Sequence, residues 1–129
     1  MFGLPRTKKM TRLLAPAKKG DSSIKVEPGL DLVTGDRLAL ASTSFDMDAA
    51  DDVFVSSYDI TTGIAAINST IKHYHYGAPV STAAKYNGVD TRGEVMILTR
   101  NIVIAGQDIE SWGAQIVTSD TIEGDLTVR

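Results

Sequence analysis

The chain has no cysteine, one tryptophan, two histidines and four prolines among its 129 residues. Without thiols no disulfide can form, and thiolate zinc sites and cysteine nucleophiles are excluded. No apolar run exceeds five residues, far short of the roughly 20 that a helix needs to cross a bilayer, so no membrane insertion by this segment is expected. The apolar stretch of a secretory signal is missing too: Leu13-Leu14-Ala15 is short and lies between charges. What is present is a 43% hydrophobic, 22% charged composition, enough apolar material for a core and against general disorder.

Charge is unevenly distributed. Residues 1–25 hold seven basic side chains against Asp21 alone, a net +6; the remainder holds six basic and fifteen acidic residues, a net −9. A basic arm on an acidic body suits nucleic-acid binding only when aromatics interleave with the cations. This arm has Phe2 alone, which predicts no nucleic-acid partner.

Helix signals are scarce and β-branched residues dominate. Ser23–Glu27 alternates with period two, as a half-buried strand does, and Pro28-Gly29 turns it. Strands are predicted at Arg37–Ala41 after Gly35-Asp36, at Asp52–Tyr58, and at Ile64–Ile67 after Thr61-Thr62-Gly63, the last two pairing as a hairpin. Thr70–Tyr76 alternates again. Residues 80–92 read as a polar loop, and Phe45–Asp52 is a short helical window crowded with aspartate. Beyond residue 93 come brief strands at Glu94–Leu98, Asn101–Ile104, Ala114–Val117 and Asp125–Val128, separated by short connections with Gly106, Gly113 and Gly124. Strands this short and regularly spaced suggest stacked coils, with Val95, Ile97, Ile102, Ile104, Ile116 and Val117 as the apolar stack. The last strand meets the chain end with no closing turn. An open β edge predicts association with other copies or with a larger parent protein.

Candidate chemistry is sparse. On a strand, His73 and His75 share a face about 6–7 Å apart and offer two nitrogens to zinc, with no third His or Cys to complete the set. No cofactor is otherwise expected. Asp46, Asp48, Asp51 and Asp52 form an acidic run that calcium could favour, but counting twelve positions from Asp46 puts Asp51 and Ser57 where a calcium-binding loop of the EF-hand type needs Gly and Glu. No carboxylate pair stands out for acid–base catalysis, and nucleophile and phosphate-loop signatures are absent. Trp112, flanked by Ser111 and Gly113, is a candidate platform for a sugar ring, with Asp90 and Arg92 as polar contacts. Asn68-Ser69-Thr70 is an N-glycosylation triplet.

Several stretches resemble a known family. These are Met10–Leu13, Val26–Asp31, Val33–Asp46, His75–Gly77 and above all Val89–Gly106 with its Leu98-Thr99-Arg100-Asn101-Ile102-Val103-Ile104 run. They are similar to the segment that follows the G-eight domain in large extracellular proteins, a family that includes the cell-migration-inducing hyaluronidase, its transmembrane relative, and fibrocystin with the fibrocystin-like proteins. The resemblance implies an all-β fold, with a β-hairpin or barrel-like insert over residues 1–92 leading into the first coils of a right-handed parallel β-helix over 93–129. It also implies an extracellular or cell-surface setting. The repeated short strands, the open end and the lack of a catalytic constellation predict a structural or interaction module of such a protein, without catalysis of its own. The alternative that the resemblance implies is part of a hyaluronan-type polysaccharide-binding or depolymerising protein. No active site carries over onto these residues.

Overall fold

A computed structural model describes residues 6–80, 85, 86 and 88–99. The described part is all-β. Its strands are β1 (Met10–Arg12), β2 (Ser23–Lys25), β3 (Arg37–Leu40), β4 (Asp51–Asp59), β5 (Ile64–Ile67), β6 (Lys85–Tyr86), β7 (Val89–Asp90) and β8 (Glu94–Ile97). Six of them form one sheet in the order β1-β8-β3-β4-β5-β2, with every pairing antiparallel. The sheet curls into a half-barrel. At one end its two edge strands meet, where Leu14 N donates to the Lys25 carbonyl at 2.8 Å. Among the described residues no helix is long and apolar enough to cross a membrane.

Period-two patterning explains the curl. Leu38 and Leu40 of β3, Val53 and Val55 of β4, Ala65 and Ile67 of β5, Ile24 of β2, and Val95 and Ile97 of β8 all point inward and are buried. Leu13, Val26, Leu30, Leu32 and Ile71 fill the space between them. Burying one such side chain contributes about 1.5–3 kcal/mol. In β4 the alternation breaks at Ser56 and Ser57, which are both exposed, and the register against β5 slips between Val55 and Ser57. One extra residue there is a β-bulge, which bends the strand and helps the sheet close on itself.

The predicted β4–β5 hairpin forms, its turn closed by Gly63 with φ 73°. The basic arm supplies β1, an edge strand beside β8. Three other expectations meet a different outcome. The Phe45–Asp52 window is no helix: Ser42, Ser44 and Asp46 hydrogen-bond to nearby backbone and compete with helical bonding. The polar loop of residues 80–92 contains the small β6–β7 hairpin, turned by Gly88 with φ 87°. Thr70–Tyr76, despite its alternation, joins no ladder beyond an isolated bridge of His75 with Ala17. Its amides at Lys72 and His73 donate to a side-chain carboxylate instead.

Strand β8, placed by the sequence at the head of the stacked coils, is bonded antiparallel to β1 on one side and β3 on the other. Val95 and Ile97 are thus part of the half-barrel core. The other strands expected after it, and Ile102, Ile104, Ile116 and Val117 with them, lie outside the described residues.

Candidate functional site

The most heavily bonded polar centre is built on the first residue of β4. Asp51 has the same parity as Val53 and Val55, so the strand aims its carboxylate inward, and the residue is only 3% exposed. His75, with no exposed surface, meets it: Nε2 lies 2.9 Å from Asp51 Oδ2, and Nδ1 lies 2.9 Å from the carbonyl of Ala41, just past the end of β3. Both ring nitrogens therefore face an oxygen of the fold, one a carbonyl and one a carboxylate. Asp51 also accepts from the backbone amides of Lys72 (3.1 Å) and His73 (2.9 Å). Burial pushes the Asp51 carboxyl up. The hydrogen bonds from His75, His73 and Lys72 outweigh it and hold the group below the usual carboxylate range.

Both histidines approach Asp51, a carboxylate of the same chain. His73 Nδ1 stands 3.6 Å from Asp51 Oδ2 without a hydrogen bond, while both nitrogens of His75 are engaged. Among the described residues no group of three or more His, Asp or Glu side chains is arranged to hold a metal ion. The acidic run disperses likewise. Asp46 Oδ1 accepts from the Asp48 amide, Asp51 turns inward, and Asp52 pairs with Arg37 across β3–β4. The Arg37 hydrogen bond holds the Asp52 carboxyl down.

Asp90 and Arg92 form a second polar centre. Arg92 grips Asp90 through two parallel bonds, Nε to Oδ1 at 2.9 Å and Nη2 to Oδ2 at 2.6 Å. Arg12 of β1 reaches over from the edge, donating to the carbonyls of Asp90 and Arg92 and to Glu94. The bond from Arg92 drives the Asp90 carboxyl far down and raises the guanidinium of Arg92 in return. Arg92 is 7% exposed. The two side chains therefore face each other, and Trp112 lies outside the described residues. Asn68 sits on an exposed turn directly after β5, with Ser69 and Thr70 exposed beside it.

Sequence reasoning did not find the Asp51–His75 pairing or the part played by Ala41. A signal for the first was present: an aspartate at the apolar parity of a strand requires a partner.

No family model matches the chain. Fibrocystin-L of Homo sapiens is 21% identical over the whole chain, and fibrocystin-L of Mus musculus is 28% identical over 90% of it. A protein of Dictyostelium discoideum is 35% identical over 60% of the chain. The chain spans about 3% of the length of the two fibrocystin-L proteins. In class its described part is an all-β half-barrel, and its sequence is similar to one short section of these much larger proteins.

Proposed function

We propose that the chain is a structural and interaction module of a large extracellular or cell-surface protein, without catalysis of its own. What carries this reading is the fate of its chemically capable side chains. Asp51, His75, Asp90 and Arg92 each direct their hydrogen bonds to other parts of the same fold, as groups that hold loops in place do. The similarity to 3% of fibrocystin-L supports a place within a longer chain and is what favours the extracellular setting. The module offers apolar contacts to neighbouring segments of its parent: Phe45 and Met47 stand almost fully exposed on the β3–β4 loop, and Met10 and Met96 lie side by side on the outer face.

Incubating the purified chain with high-molecular-weight hyaluronan and following polymer size tests this reading. Unchanged polymer length is expected. Shortening by the chain would overturn the structural reading and establish the alternative, a part of a polysaccharide depolymerase. Co-sedimentation with intact polymer would instead place polysaccharide among its partners.

A further inference from the structure

Asn68 continues the β4–β5 pairing by one position. Val55 is opposite Ile67, so Phe54 is opposite Asn68. Asn68 N donates to the Phe54 carbonyl at 3.0 Å, and the Asn68 side-chain Oδ1 accepts from the Phe54 amide at 3.4 Å. The side-chain carbonyl thus stands in for a backbone one and fixes the direction of the amide. Its Nδ2 has no hydrogen bond among the described residues, and Asn68, Ser69 and Thr70 are all exposed. Directly opposite residues on one face have Cβ atoms about 5 Å apart. Phe54 is one of the few aromatic rings left open on the strands, 44% exposed, and nothing else among the described polar contacts explains it.

We propose that Asn68 carries an N-linked glycan whose first sugar lies against the ring of Phe54. The proposal rests on the extracellular reading above, because the modification is made in the secretory pathway. In the transfer, Nδ2 attacks C1 of the first sugar of a lipid-pyrophosphate-linked oligosaccharide. The C1–N bond forms, the C1–O bond to the lipid pyrophosphate breaks, the pyrophosphate leaves with the electron pair, and Nδ2 gives up one proton. The modified amide keeps its carbonyl and one N–H, so its bond to the Phe54 amide survives. A pyranose presents a face of C–H groups that packs on an aromatic face and removes it from water. The glycan thereby covers an apolar ring that otherwise faces solvent.

The test is to secrete the chain from a eukaryotic cell behind an added signal sequence and to map its peptides by mass spectrometry. A glycan at Asn68 is expected, removed by an amidase. It is lost in Asn68→Gln and Thr70→Ala and kept in Thr70→Ser. Thermal unfolding with and without amidase treatment reads the second half. Treatment should lower the midpoint of the parent chain, and the drop should shrink by at least half in Phe54→Ala. A secreted, folded chain with bare Asn68 would overturn the site. An unchanged drop in Phe54→Ala would overturn the role of the ring. Antibody labelling of intact source cells separates either failure from failure of the extracellular reading: an internal parent protein would overturn that reading, and a glycan on the native protein with it, even if Asn68 accepts a glycan in the secreted chain.

Discussion

A carboxylate on the apolar face of a strand is costly unless every lone pair it buries finds a donor. Asp51 meets that condition with His75 and two backbone amides, so its loss should be felt in proportion to the partners stranded. Asp51→Ala leaves a buried imidazole and two amides unpaired, and a cost of about 3–5 kcal/mol is expected. Asp51→Asn should be milder, about 1–3 kcal/mol. If its NH2 replaces Oδ2 and donates to Nε2, its oxygen keeps the Lys72 amide, and the His73 amide, which shares Oδ2 with His75, is left unpaired. Urea unfolding of the two variants checks this order. Equal losses would mean that the bonds the asparagine keeps carry little of the stability.

At the scale of elements, two glycines act through close approach, and a third offers a control. A Cβ on Gly63 would collide with the Val26 carbonyl, and φ there is 73°. A Cβ on Gly77 would collide with the Ala15 carbonyl and crowd Leu13. Gly20 has φ 94° but open space around it. Gly63→Ala should therefore cost about 3 kcal/mol or more, from strain and overpacking together, and Gly20→Ala about 1–2 kcal/mol from conformation alone. Denaturant midpoints for the pair measure the clash, and equal costs would contradict it. These elements also mark how far the sequence was legible. The strands of the hairpin announced themselves, because period-two burial and a Thr-Thr-Gly turn are local. Thr70–Tyr76 misled, because its pattern matches a strand while a carboxylate some twenty positions away captures its amides. The three-residue β1 was hidden among cations, since its pairing with β8 joins residues more than eighty positions apart. Of the candidate site, the approach of His73 and His75 to Asp51 was not legible, because it depends on the register of another strand.

At the scale of the whole molecule, the basic arm and the acidic body are held together by pairs that join them. Arg6 meets the buried Asp36 at 2.5 Å, Lys8 meets Glu27 at 2.7 Å, and Arg12 meets Glu94 at 2.7 Å. Among the described residues, three of the arm's cations are thus paired with carboxylates of the body. Carboxylates of the body also make stability depend on acid. The carboxyls of Asp31, Asp51, Asp52 and Asp90 are all held below their ordinary value, by the Thr7 amide, by His75 and its neighbours against burial, by Arg37 and by Arg92 respectively. A group depressed on folding binds fewer protons folded than unfolded. Its contribution is complete above the unfolded value of about 3.9 and is lost as pH falls through the lower folded value. Stability should therefore be level from neutral pH to about 5 and fall steeply below about 4. Asp90→Asn should be less stable at neutral pH yet lose less on acidification, because the most strongly depressed of the four no longer titrates. Urea unfolding at pH 7, 5, 4 and 3 follows both curves, and parallel curves for the two proteins would show that the Arg92–Asp90 grip contributes nothing to the fold.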